Sequence, residues 1–335
     1  MKIAITGGAG FVGSHLTKAY QDAGHDVIVI DSLVTGSAEA IDPRARFYQV
    51  DIRDRKLQDI FQAERPDLVS HHATQRHETG TGAHTLTDAD VHVRGLINVL
   101  DSCVSASVKQ FIFASGGNNL YGRVTPELLP LPEETCLQPR SAQDISKLAG
   151  EWYARYYTQQ YGLKHTILRY ADIYGEIRIT PHHHPLSYFI HMLHEHKRPI
   201  IRGSGNEVRD HIFIDDVIQA NLHLLKNLVR SENRTLHIST GQGCSLNQLY
   251  HMLAIMQNSQ QEPIYLSGPH LETSSIILDN TRARHLLGWQ PGVTLSDGIR
   301  QAMLRLLPEQ QLPAHVREFD APRFVIAAEA TLSRA

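Results

Sequence analysis

Gly7, Gly10 and Gly13 stand three residues apart, directly after an apolar run from Lys2 to Thr6 and directly before a helix-forming stretch. That spacing suits a dinucleotide. Gly7 allows a tight turn after a strand, Gly10 lets the main chain approach a pyrophosphate, and Gly13 lets the following helix lie close on a sheet. The phosphates then meet the free amides of the helix N-terminus, where Phe11 and Val12 form the first turn. A second apolar run ends in Asp31, where a carboxylate accepts from the ribose hydroxyls of NAD. Ser32 and Leu33 follow, where NADP would require an arginine.

Other side chains capable of chemistry are scattered. The chain has 21 histidines, among them the runs His71-His72 and His182-His183-His184, and the set His191, His194 and His196. Contiguous histidines diverge and rarely share one metal, and no acidic or cysteine partner stands at ligand spacing, so no metal site is expected. The 182–184 run is read as a substrate-facing loop, and His191, His194 and His196 as a solvated helix face. The 3 cysteines, Cys103, Cys136 and Cys244, fit neither a metal motif nor a disulfide framework and suit a reducing compartment.

The elements that must hold these groups alternate. Strands are expected at 2–6, 26–31, 46–50, 67–71, 110–115 and 165–169, and helices at 12–23, 55–63, 88–106 and 143–161. This is the signature of an α/β fold, a Rossmann-type doubly wound parallel sheet whose ligands sit beyond the carboxyl ends of the strands. The expected division is an NAD-binding domain over 1–175, a smaller C-terminal substrate lobe over 176–307, and an irregular tail over 308–335, with some later segments returning to the first domain. Trp289 and Phe213 read as core, with Asp215 and Asp216 capping a helix. At 335 residues, with 41% hydrophobic content and a net charge of −3, the chain has neither polyelectrolyte character nor a membrane-spanning run. Nucleic acid and membrane are therefore not expected partners. The first residues form a strand rather than a leader, so a cytoplasmic protein is expected.

Several segments in order resemble the extended short-chain dehydrogenase/reductase family, in its nucleotide-sugar epimerase and dehydratase branch. They are Asp51-Ile52, His71 to Gln75, Ser115 to Gly122, Ser146 to Glu151, Leu168 to Gly175, Gly203 to Asp210, Phe213 to Val217 and Leu287 to Pro291. The resemblance spans about residues 1 to 305. It implies an NAD-dependent enzyme acting on a UDP- or dTDP-linked sugar, and a homodimer paired through the helices at 88–106 and 143–161. It also implies cofactor contacts from Asp51, Ile52, His72, Ala73, Thr74, His92, Lys147 and Tyr170, and substrate contacts from Asp172, Arg209 and Glu272. Arg209 would clasp a diphosphate with its planar fork of donors.

The same resemblance exposes departures. The family's base is a tyrosine four residues before a lysine, a spacing that puts both on one helix face and lets the ammonium lower the phenol pKa. Lys147 is present, but position 143 is Gln143, and a carboxamide cannot act as that base. The companion hydroxyl position falls on Gly116 or Gly117, with Ser115 the nearest hydroxyl. An asparagine of the long helix is His92, the asparagine of the Arg-Tyr segment is Asp172, and an expected arginine upstream of Glu272 is Pro269. The acidic pair of the dehydratase subtype is replaced by Asn118 and Asn119, which disfavours that subtype.

His72, His77 and His92 are the candidate replacement bases, since an imidazole titrates near neutrality. Asp144, three before Lys147, is placed off the tyrosine position by the turn of the helix. The leading expectation is an epimerase-like enzyme working through hydride transfer with an altered proton relay at Lys147, Gln143, Ser115, His92 and His77. The alternatives are an NAD-dependent oxidoreductase or lyase of a specialised pathway, or a non-catalytic NAD or nucleotide-sugar binding protein.

Overall fold

Short runs rich in branched apolar residues form the buried strands of the central layer, and amphipathic helices cover them. The computed structural model describes residues 1–75, 85–175, 184–266 and 275–306. In chain order the strands are β1 (Lys2–Thr6), β2 (Asp26–Asp31), β3 (Arg46–Gln49), β4 (Leu68–His71), β5 (Gln110–Gly116), β6 (Lys164–Tyr170), β7 (Asp172–Tyr174), β8 (Ile200–Arg202), β9 (Val208–Phe213), β10 (Arg234–Ile238), β11 (Gly243–Ser245) and β12 (Ile264–Leu266). The helices are α1 (Phe11–Asp22), α2 (Lys56–Glu64), α3 (Thr85–Ala89), α4 (Leu96–Ser105), α5 (Ala142–Tyr161), α6 (Pro185–His194), α7 (Ile214–Lys226), α8 (Leu228–Ser231), α9 (Leu246–Met256), α10 (Thr281–Leu287) and α11 (Leu295–Leu306).

A seven-stranded sheet, every neighbouring pair parallel, runs in the order β10-β6-β5-β4-β1-β2-β3. The chain reverses direction across the sheet between β1 and β4, which opens the crevice where such sheets bind ligands. Leu16 and Tyr20 of α1 share one apolar layer with Val217 and Leu224 of α7, while Leu57, Leu96, Leu100 and Ala154 of α2, α4 and α5 fill the other. The sheet is thus covered on both faces, as the alternating sequence pattern requires.

Two expectations about the elements need correction. The continuous helix expected over 88–106 is divided: α3 leads into a π-helical turn, Asp90–Gly95, before α4. Asp215 and Asp216 do not cap α7 by side chain, since Phe213 is the N-cap residue. Asp216 instead accepts from the amides of Gly292 (2.8 Å) and Val293 (3.1 Å), tying a distant loop to the helix start. Beyond β6, α7 and β10 return to the central layers, while α6 packs on α9, and β7, β9 and β11 form a separate small sheet. Trp289 and Phe213 are buried, as core residues should be. No described helix is long and apolar enough to cross a membrane.

Candidate active site

The glycine turn fixes one end of a cleft. Gly7 has φ +73° and lies so close to the next strand's exit that a Cβ there would come 2.5 Å from the Ala73 nitrogen. A Cβ on Gly13 would come 2.1 Å from the Gly7 carbonyl oxygen, so turn and helix can approach only without side chains. Gly10 caps α1 without any side-chain bond, leaving the helix amides for a ligand. Asp31, at the end of β2, accepts from the amides of Ala9 (3.0 Å) and Leu33 (2.8 Å), which orients its carboxylate over the turn.

From this turn a cavity of about 370 Å³ follows the carboxyl ends of the strands. Gly7, Gly10, Phe11, Val12 and Gly13 line its start; Asp31, Ser32, Asp51 and Ile52 line its adjoining wall. His72, Ala73, Thr74, Ser115, Gln143, Lys147 and Tyr170 line the middle, and Asn118, Asn119, Asp172, Tyr174 and His184 the far end. A bare phosphate-binding turn, a carboxylate at ribose distance along the chain and an elongated crevice fit a dinucleotide.

Lys147 donates to the Ala114 carbonyl at 3.0 Å, with its ammonium 5.2 Å from the centre of the Phe113 ring. Gln143, one helical turn earlier, reaches across to the Thr74 hydroxyl at 3.4 Å. Ser115, on the cleft wall, donates its hydroxyl to Glu151 at 2.8 Å. Glu151 in turn pairs with Arg169 at 2.8 and 2.7 Å, and both are fully enclosed. Arg169 also donates to the Tyr121 hydroxyl (2.8 Å), which bonds His237 Nε2 at 2.5 Å, while His237 Nδ1 meets the Asp279 carbonyl. This network was not anticipated, although Glu151 shares a helix face with Lys147 four residues earlier.

The replacement bases fare differently. His72 lines the cleft, but burial and then the nearby Lys147 charge push its pKa down to about 3, so it is a poor base near neutrality. His92 is buried behind the wall and bonded to the Gln75 carbonyl at 3.2 Å, not placed on the cleft. His77, His182, His183, Pro269 and Glu272 lie outside the described residues. Asp144, read from sequence as facing away, does line the cleft beside Gln143 and Lys147. Gly117 is closed to any side chain, since a Cβ would come 2.3 Å from the Tyr170 carbonyl oxygen, whereas at Gly116 the nearest atom would be 3.9 Å away.

At the far end Arg209 donates to Asn119 Oδ1 (3.0 Å) and to the Asn118 carbonyl (3.3 Å), bracing the cleft edge. Asp210 is structural. Its carboxylate accepts from Thr240 and Gly241, and burial nevertheless raises its pKa to about 6. His184 caps α6, with Nδ1 accepting from the Leu186 amide at 3.2 Å. His191 pairs with Glu195 on the exposed side of α6. No three metal-ligating side chains are gathered for an ion among the described residues.

The sequence pattern of the NAD dependent epimerase/dehydratase family matches residues 3–239. The chain belongs to that family. It is 35% identical over 303 residues to a Methanocaldococcus jannaschii protein provisionally named UDP-glucose 4-epimerase, covering 90% of this chain and 97% of that one. The structure is similar to that of Thermotoga maritima UDP-glucose 4-epimerase with UDP-glucose, at TM-score 0.84 and 33% identity over 91% of this chain and 98% of the other. It is equally similar to the Thermus thermophilus UDP-glucose 4-epimerase complex with NAD, at TM-score 0.84 and 30% identity over 91% and 98% of the two chains. The matched residues 3–239 take in the glycine turn, Asp31, Gln143 and Lys147 of the cleft.

Proposed function

We propose that the protein is an NAD-dependent, epimerase-type isomerase of a UDP- or dTDP-linked sugar, working with an altered proton relay. The observation that carries this reading is the single cleft that joins the Gly7 turn and Asp31 to Lys147, Gln143 and Asp172. The glycine turn and the start of α1 would hold the pyrophosphate, Asp31 the adenosine ribose, and Lys147 the ribose at the other end. When bound, NAD supplies a reversible hydride acceptor. The protein's own part is to hold the sugar, exclude water and move one proton.

For that proton, Lys147 and Asp144 are the ionisable side chains of α5 on the cleft wall, with Gln143 and Thr74 bridging the gap beside them. The Ser115 hydroxyl, on the same wall, is committed to Glu151. Arg209 and the region of Glu272 would meet the nucleotide diphosphate.

The family relationship and the exposed apolar face of α5 support a homodimer. Ile145 and Trp152 are 56% and 62% exposed, as expected of residues that a second copy covers. The three thiols, all unpaired, suit a cytoplasmic setting.

One observation favours a second reading, a non-catalytic binder. Gly117 is not merely without a hydroxyl but is closed to one by the Tyr170 carbonyl. The two readings part in one assay: the NAD-loaded chain is incubated with UDP- and dTDP-hexoses, and C4 epimers are separated. Turnover that falls about 10²-fold or more in Lys147→Ala supports the enzyme. Tight binding of NAD and nucleotide sugar with no epimer formed supports the binder.

A further inference from the structure

The far end of the cleft places two acceptors, Asp172 and Asn118, on one wall. Asp172 lines the cleft and is half-buried. Its burial alone would raise its pKa, but Arg209, His211, His184 and Asn118 outweigh that and hold it below the usual carboxylate range, so it is ionised at neutral pH. Apart from the Asn118 amide, no hydrogen-bond donor among the described residues reaches its carboxylate.

Asn118 lies beside it on the same wall, with 4% of its surface exposed. Its nitrogen donates to the Asp210 carbonyl at 3.0 Å, while its Oδ1 is buried with no donor. Buried acceptors without donors are costly, and an ionised carboxylate more so. The Asn118 oxygen is such an acceptor, and the Asp172 carboxylate beside it has capacity beyond the one amide it accepts, so this wall favours a ligand that brings donors.

The surrounding charges decide which donor. His184 accepts the Leu186 amide on Nδ1. Burial holds His211 below its ordinary value in spite of Asp172. Arg209 is the foremost of the charges that act on Asp172. On the nucleotide-sugar reading, Arg209 is claimed by a diphosphate with about two negative charges of its own. Asp172 is then left uncompensated beside an anion, and neutral hydroxyls can satisfy its lone pairs but not its charge.

We propose that Asp172 and Asn118 form a subsite for an ammonium group, so that the preferred substrate is a nucleotide-linked sugar carrying a free, unacylated amine. This rests on the nucleotide-sugar reading above and deepens it. A carboxylate here, rather than the asparagine seen at this position in the resembling family, converts a subsite for neutral polar groups into one that distinguishes a cation from its acylated or hydroxyl counterpart.

The test is calorimetric titration of the NAD-loaded chain, at neutral pH with EDTA, against UDP, dTDP, UDP-glucose, UDP-N-acetylglucosamine and UDP-glucosamine. If dTDP alone binds, the corresponding dTDP sugars are used. UDP-glucosamine should bind at least about tenfold tighter than the other two sugars, and the advantage should vanish in Asp172→Asn, whose fold is checked by retention of NAD. Equal affinities, tighter binding of the neutral sugars, or a preference that survives Asp172→Asn overturns the proposal while leaving the nucleotide-sugar reading in place. So does a wild-type affinity for UDP-glucose that rises with added Mg²⁺ and fails to rise in Asp172→Asn, which would make the missing cation a metal. Failure of both UDP and dTDP to bind overturns the nucleotide-sugar reading, and the proposal with it.

Discussion

At the scale of residues, Gln143 and Lys147 share one cleft wall but differ in what they can do with a proton. The carboxamide of Gln143 spans the gap to Thr74 but carries no titratable proton. A phenol at this position would stand one turn from the Lys147 ammonium, which favours the ionised form. Gln143→Tyr is therefore expected to raise kcat by about 10²- to 10⁴-fold in the epimerisation assay. An unchanged kcat would show that proton transfer does not pass through this side of the cleft. The companion hydroxyl is a different matter, because its two candidate positions are not equivalent. Gly117→Ser must displace the Tyr170 carbonyl or Leu278, a clash worth about 1–3 kcal/mol in denaturant unfolding, whereas Gly116→Ser has open space and should change stability little. Equal costs would refute the asymmetry.

What could be read from sequence at this scale follows from what constrains each residue. Gly7 and Gly13 are fixed by backbone contacts that no other residue permits, so spacing alone revealed them. Asp144 is expected off the tyrosine position, and it lines the cleft all the same beside Gln143 and Lys147, because a helix wheel fixes direction around the axis and not the extent of a cleft. Asn118 and Asp172 are brought to one edge because β5 and β6 pair in parallel and end together at Gly116 and Tyr170, two residues before each, and no sequence spacing encodes that.

At the scale of elements, the strand order follows from alternation and right-handed crossovers, so the first six strands were legible almost to the residue. The return of β10 beside β6 was foreseen only as an unspecified later segment, because the intervening chain has no regular period. His92 lies within the π-helical turn Asp90–Gly95, whose wider turn departs from the 3.6-residue period, so that period does not say which face His92 takes. The link between α5 and β6 through Glu151 and Arg169 is the strongest test of element cohesion. Their pair is fully enclosed, and removing one partner strands the other charge. Arg169→Ala should cost about 3–5 kcal/mol in urea unfolding, with a smaller loss when Glu151 is replaced by Leu in the same chain. Additive losses in the double variant would show that the pair is not coupled.

At the scale of the whole molecule, burying so many imidazoles has a consequence for acid stability. His72 and His237 have pKa values pushed down to about 3 and His165 to about 4, each chiefly by burial, and His71 and His211 are lowered by burial too. Their ordinary value is about 6.5, so below that pH the unfolded chain binds protons that the folded chain refuses. Stability held by these groups is present above about pH 6.5 and lost as pH falls. Asp210, raised to about 6, and Asp216, also raised, act in the opposite sense: folded carboxyls hold protons that unfolded ones release, which favours the fold as pH falls from about 6 toward 4. Glu133 is raised by burial as well, but the five histidines outnumber these three carboxyls, so unfolding takes up protons on balance and stability falls as pH drops below about 6.5. Unfolding in urea followed from about pH 7 to pH 5, with NAD absent so that ligand linkage does not intrude, should show this slope. A flat profile would mean that the buried imidazoles are already protonated in the folded chain, and with them His237, whose Nε2 could then no longer accept from Tyr121.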